Sequence, residues 1–283
     1  MNRLKVILSF ILIFTLGSTL AHAEENVLSE EQYEQILIDA GMPQALIDNM
    51  DFYDKQFIVE NSSGSDLQFD GYSESAYAYN TFGELAPVVT PPPGVVTPFA
   101  NIPSTDLVLT MFHFVTTYNG VQLHDIYGTF EWLANPHQST SISYYGIQND
   151  HIGMAVPADW EIQDDKYACA TQYKNIGNGN VWSAPSSAGC NDDDGSPVED
   201  ELYGSAWEFG GNLTDMPATK YKGTVKFALE KKVSTATERA VIKYSQSKPL
   251  GGVFSTSISF GPATVNFNPS IGTNDTASAD ISW

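Results

Sequence analysis

The chain has 283 residues, 42% of them hydrophobic, and carries 34 acidic against 13 basic side chains, a formal charge of −21. That imbalance disfavours nonspecific nucleic-acid binding, because most of the surface would repel phosphate. Length and apolar content suffice for a core that folds without a metal framework or a dense set of disulfides.

Arg3 and Lys5 precede an apolar run from Val6 to Leu16, and Ala21-His22-Ala23 has the small-x-small form of a signal-peptidase site. Residues 1–23 therefore read as a signal peptide, leaving Glu24 as the mature N-terminus of a secreted, extracellular or cell-surface protein. No later stretch approaches the roughly 18 consecutive apolar residues of a membrane span. Arg3 and Lys5 leave with the leader, so 11 basic residues remain and the formal charge becomes −23. The charge is uneven. Residues 24–219 hold 30 acids and only Lys55, Lys166 and Lys174, whereas eight basic and four acidic residues follow from Lys220 onward.

Residues 24–60 read as a small helical appendage. Ser29 is a helix N-cap, with Gln32 at the reciprocal capping-box position and Tyr33, Ile36 and Leu37 on one apolar stripe. Gly41 supplies a left-handed stop, and Pro43 opens a second, shorter helix through Met50. Residues 61–283 read as a β-rich domain. Within it, 61–71 resembles a turn-rich connection, and the Pro-rich segment 87–103 is incompatible with a central strand because proline lacks the amide donor. That segment reads as a stiff polyproline linker or a long surface crossing.

The strongest local pattern lies between Leu107 and Trp132. Two β-rich runs meet at Asn119-Gly120, a pair suited to the positive dihedrals of a type I′ turn. A two-residue loop then sets Tyr118 opposite Val121, and Val115 opposite His124. Both faces carry apolar groups, which predicts a central position in the sheet. A further β candidate covers Ser141–Tyr145. Val225, Phe227 and Leu229 alternate with Lys226, Ala228 and Glu230 as a half-buried strand. Ala240, Ile242 and Tyr244 mark the next strand, Gly251-Gly252 separates it from Val253–Phe260, and Ala277, Ala279, Ile281 and Trp283 share one face at the end. The expected architecture is a mainly β protein, an antiparallel β-sandwich with a small N-terminal helical appendage; a barrel is the alternative. Cys169 and Cys190 permit one bridge, worth about 3 kcal/mol from loop entropy, and export favours its formation.

Asp192-Asp193-Asp194-Gly195-Ser196 is the leading candidate for chemistry. Asp192, Asp194 and Ser196 alternate, Gly195 eases the turn, and Glu199 can return as a fourth ligand. Hard oxygen donors of this kind suit Ca2+, although the flanks lack the paired helices of an EF-hand. His113 and His124 fall diagonally across the predicted hairpin on one face, where two imidazoles suit a metal if another segment adds ligands. Trp132, Trp160, Trp182 and Trp207 suggest a sugar platform, and Glu131 and Glu208, each beside a tryptophan, suggest glycoside hydrolysis. Such hydrolysis needs two carboxylates at a set separation.

Phe130-Glu131-Trp132-Leu133-Ala134-Asn135-Pro136 and Asn149-Asp150-His151-Ile152-Gly153 resemble segments of uncharacterised secreted proteins of Gram-positive bacteria. The resemblance implies export and a shared β architecture, without a defined reaction. The sequence thus predicts a nonenzymatic binding or structural protein, stabilised by Ca2+ through Asp192, Asp194, Ser196 and Glu199. Its expected partners are cell-envelope material, a glycan or an extracellular protein. An extracellular polysaccharide-active enzyme is the alternative.

Overall fold

A computed structural model describes residues 28–81, 85–88, 106–133, 150–175, 179, 181–187, 190, 196–197, 199–201, 203–209, 218–254, 257–260, 263–266 and 270–283. The signal peptide, most of the Pro-rich segment and the β candidate at 141–145 lie outside the described residues.

The hairpin forms where the turn chemistry places it. Strand β3 (Leu107–Tyr118) pairs with β4 (Val121–Trp132), with Tyr118 opposite Val121 and Val115 opposite His124. Asn119 and Gly120 take φ of 51° and 82°, the left-handed values that a type I′ turn demands and glycine tolerates best. One side of β3 continues into β1 (Ser65–Tyr79), which carries the short edge strand β2 (Leu85–Pro87). Pro87 therefore ends an edge strand, where its missing donor is harmless. The other side of the hairpin meets β10 (Ala218–Lys231), whose far edge pairs with β6 (Trp160–Ile162) and β7 (Ala168–Asn175).

A second antiparallel sheet has the order β14-β11-β5-β9-β8, built from β5 (Asp150–Ala155), β8 (Glu199–Glu201), β9 (Gly204–Phe209), β11 (Arg239–Phe254) and β14 (Ser270–Ser282). Strands β12 (Ser257–Phe260) and β13 (Ala263–Asn266) pair with each other. The two large sheets pack face to face. Leu109, Met111, Ile126, Phe130 and Phe227 of the first meet Ile152, Met154, Trp207, Ile242 and Tyr244 of the second in one buried cluster. The sheets approach closely at Gly128, where a Cβ would lie 2.5 Å from Ile242 Cδ1. The predicted mainly β sandwich with a helical appendage is the fold observed.

Three boundaries and one burial pattern differ from expectation. The turn-rich connection is largely strand: β1 starts at Ser65 and pairs with β3 through two register shifts, so bulges hide its period. Gly251-Gly252 does not end β11, which runs through it with a register shift between Lys248 and Val253. The second helix is cut to α2 (Gln44–Ile47), after α1 (Glu30–Asp39), and a third, α3 (Phe52–Glu60), follows. Asp51 starts α3 by accepting from the backbone N–H groups of Tyr53 and Asp54, and Asp54 completes the reciprocal box. The fourth difference concerns β10. It is buried on both faces, with Lys226 only 2% exposed and Ala228 wholly buried.

The helices explain that burial. Leu37, Leu46, Ile47, Phe57 and Ile58 pack on Phe112, Phe114, Tyr127, Ala168 and Ala170 of the outer sheet face. Each such side chain contributes roughly 2 kcal/mol by leaving water. Ser29 caps α1 with its capping box to Gln32, as the sequence predicts, and Gly41 follows with φ 87°. Lys55 of α3, 3% exposed, ties the helices together through Glu30 at 2.8 Å and Glu34 at 2.5 Å. The disulfide Cys169–Cys190 forms as predicted and sits in the core. No helix among the described residues is long and apolar enough to cross a membrane.

Candidate functional site

The helices do not seal the outer sheet face completely. A cavity of about 90 Å³ remains between them and the strands. Its floor follows from strand register. Glu74 lies opposite Thr110, Thr110 opposite Thr129 and Thr129 opposite Thr224, giving one row of side chains across four strands. The next row sets Val108 beside Glu131, and Glu131 beside Lys222. Leu46, Met50 and Ile58 form apolar wall from the helical side, and Asp54 adds a carboxylate.

The charges in this cavity are unequally satisfied. Lys222, 1% exposed, donates to Asp51 at 2.7 Å and Asp54 at 2.6 Å. Burial alone would depress its ammonium, but Asp54, Asp51 and Glu131 together reverse that and raise its pKa. Burial pushes the Asp54 carboxyl up against the opposing pull of Lys222. Lys222 is charged, because two carboxylates share it. Glu131 is the direct cross-strand neighbour of Lys222 yet makes no hydrogen bond or ion pair among the described residues. Burial raises its pKa, Asp54 adds to that, and Lys222, Lys174 and Lys220 oppose it. The Thr129 and Thr224 hydroxyls bond each other at 3.1 Å, and Tyr72 donates to Glu74.

A second polar cluster occupies one end of the inter-sheet core. His113 Nε2 and His124 Nδ1 are 2.9 Å apart, with ring planes 3° from parallel and centroids at 5.1 Å. That separation is close to the nitrogen–nitrogen distance plus two ring radii, so the rings lie edge to edge and nearly coplanar rather than face to face. Their nitrogens point at each other, which leaves no room for a metal between them. Asp70 Oδ2 stands 3.3 Å from His113 Nδ1, the one histidine ring nitrogen here that is both buried and without a hydrogen bond. The carboxylate favours a proton on that nitrogen, which makes His124 the donor in the pair. Trp283 packs at 4.2 Å from the His113 ring, and Trp160 at 4.8 Å from that of His124. Burial holds His113 near pKa 3 and His124 near 4, so both are neutral at pH 7.

Of the predicted Ca2+ ligands, Asp192 and Asp194 lie outside the described residues. Ser196 is partly buried, and Glu199 opens β8 with its backbone paired to Ala206. Among the described residues, no group of three or more His, Cys, Asp or Glu side chains is arranged to hold a metal ion. The predicted hairpin geometry of His113 and His124 is observed; their metal role is corrected to a hydrogen bond. The tryptophan platform is corrected too. Trp132, Trp160 and Trp207 are wholly buried, because each falls on the inward face of its strand, whereas Trp182 lies beneath the Lys174 and Lys222 ammonium groups. The two glutamates also part company: Glu131 lines the cavity and Glu208 pairs with His151 across β5 and β9.

Trp132 and Asp150 are joined in the core through Tyr244. Trp132 Nε1 donates to the Tyr244 hydroxyl at 2.9 Å, which donates to Asp150 at 2.5 Å. The cavity's threonines and Lys222 escaped the sequence reading. Their alternation was visible, but nothing local distinguishes a strand face that helices cover from one that water covers.

No protein-family model matches the chain, and no curated protein matches it. Among solved structures it is similar to the collagen-binding domain of a Staphylococcus aureus adhesin, at 5% identity and TM-score 0.25, covering 54% of this chain and 86% of that one. It is also similar to a Fap1 fimbrial structure of Streptococcus parasanguinis, at 8% identity and TM-score 0.27, covering 74% and 88%. A third likeness is to AvmM, which catalyses a macrocyclization in alchivemycin A biosynthesis, at 14% identity and TM-score 0.24, covering 58% and 93%. Superpositions this loose carry no argument about function.

Proposed function

We propose that the chain is an exported, nonenzymatic binding or structural protein whose partner is cell-envelope material, a glycan or another extracellular protein. The observation that carries this reading is the cavity beneath the helices, with one carboxylate, Glu131, that makes no hydrogen bond or ion pair among the described residues. The signal-peptide pattern and the disulfide, a bond of oxidising compartments, support its placement outside the cytoplasm. Mature protein applied to a glycan array and to isolated envelope fragments is expected to be retained without releasing soluble product. Absence of retention on both, and on extracellular protein extracts, would overturn the reading.

The enzymatic alternative is favoured by one observation, the raised pKa of Glu131, a property of general acids. The carboxylates that share its cavity are Asp54 and Glu74, and glycoside hydrolysis would need one of them at a set carboxyl separation from Glu131. Polysaccharide turnover abolished by Glu131→Gln would replace the binding role with this one.

Ca2+ stabilisation through Asp192, Asp194, Ser196 and Glu199 is a separate proposal. If the folded loop binds the ion and the unfolded chain does not, Ca2+ at a hundred times Kd adds about 2.7 kcal/mol. Thermal unfolding with added Ca2+ is expected to shift upward in the intact protein and not in Asp194→Ala. An unmoved Tm in the intact protein would remove the ion from the account.

A further inference from the structure

We propose that the cavity between the helices and the first sheet takes a small ligand with a primary ammonium group on a short hydrocarbon body, the nitrogen received by Glu131. This inference rests on the binding role above and names the chemistry of that site.

Lys222 is already engaged by two carboxylates. Lys222 and Glu131 are direct cross-strand neighbours, where opposite charges normally pair. Asp51 and Asp54, presented by the start of α3, take the ammonium instead, at 2.7 and 2.6 Å. Glu131 is left facing the cavity without a hydrogen bond or ion pair among the described residues. Glu131 is half-buried, and a carboxylate partly withdrawn from water gains from a charged donor that reaches it inside the cavity. An ammonium brings three donors, and the threonine hydroxyls of the same floor offer further acceptors.

Charge and size narrow the ligand. Glu74, Asp54 and Lys222 line the same space as Glu131; with Lys222 held by Asp51 and Asp54, carboxylates outnumber ammonium groups in the lining, which disfavours anions. A neutral hydroxyl group would make a weaker bond to the carboxylate than a charge-assisted one. Leu46, Met50 and Val108 give the hydrocarbon an apolar wall. About 90 Å³ is too little for a drug-sized molecule and fits a chain of a few carbons.

The test titrates the mature protein at neutral pH with n-butylammonium, n-butanol and butyrate, followed by two-dimensional NMR. Butylammonium is expected to bind saturably, about tenfold more tightly than butanol, and butyrate not to bind. Glu131→Gln, with Tm and circular dichroism checked, is expected to bring butylammonium down to the level of butanol. Met50→Trp, which fills the cavity from the helical side, is expected to abolish binding of both. Equal affinity for butanol and butylammonium, a preference that survives Glu131→Gln, or no saturable binding of butylammonium would each overturn the inference. Retention on envelope or glycan that persists after such a failure leaves the broader role standing; loss of that retention with butylammonium still bound sinks only the broader role.

Discussion

Asp125→Ala is expected to cost about 3–5 kcal/mol of folding stability, because it strands the Lys226 ammonium without its counter-charge. Asp125 is wholly buried and Lys226 is 2% exposed. The Asp125 Oδ2 atom accepts the Ser63 N–H at 2.8 Å, and Oδ1 lies 3.1 Å from Lys226 Nζ, which also donates to the Lys166 carbonyl at 3.2 Å. The Nζ–Oδ1 contact is within ion-pair range but is not aligned as a hydrogen bond. Burial consequently outweighs the attraction, and the Lys226 pKa falls below its ordinary value. In the variant, Lys226 escapes by losing its proton, so the deficit should shrink as pH rises toward the ordinary lysine range. Replacing both partners, as Asp125→Leu with Lys226→Met, is expected to restore most of the loss. Urea unfolding of the three proteins measures this directly. A single-variant loss below 1 kcal/mol would show that the pair does not pin the sheet.

Acidification is the second large effect. His113 and His124 titrate near pH 6.5 when unfolded but near 3 and 4 when folded. Between those limits the unfolded chain binds more protons, so stability falls as pH drops below about 6.5 and continues to fall to about 3. Above pH 7 the pair contributes no slope. The combined loss by pH 4 is on the order of 5 kcal/mol. The charged groups around the pair act in opposite directions: Asp70 and Glu238 favour protonation, and Lys231 opposes it. In the folded protein protonation places a cation against Trp283 and Trp160, so native-state tryptophan fluorescence should change between about pH 4 and 3, where the folded pair titrates. His113→Leu with His124→Leu is expected to flatten the stability slope between pH 6.5 and 4 and to remove the fluorescence change. An unaltered slope in that double variant would assign acid sensitivity to the carboxylates instead.

The parts of this fold that the sequence makes legible are those fixed by neighbours in the chain. Asn119-Gly120 determines the hairpin, its register and hence the diagonal meeting of His113 with His124. Ser29 and Gln32 determine where α1 begins. The alternation at Val225, Phe227 and Leu229 identifies one buried face of β10 correctly. It misleads about the other, because Lys222 and Lys226 look like solvent-facing residues until Asp51, Asp54 and Asp125 arrive from distant segments. The cavity was hidden for the same reason. Glu131 was singled out beside Trp132, yet its importance comes from losing Lys222 to α3, a competition between groups far apart in the chain. β1 escapes the pattern of alternation because its bulges break the period of two.

That long reach has a kinetic side. Asp54 and Lys222 are separated by 168 positions, and the strand carrying the lysine is synthesised long after the helices that need it. Loop closure on this scale is slow compared with forming a local turn. Until β10 joins the hairpin, α1 to α3 have no finished surface on which to land, and their apolar stripe stays uncovered. Refolding should therefore populate an early species with a formed hairpin and an undocked N-terminal segment, the stage most exposed to aggregation and to proteases.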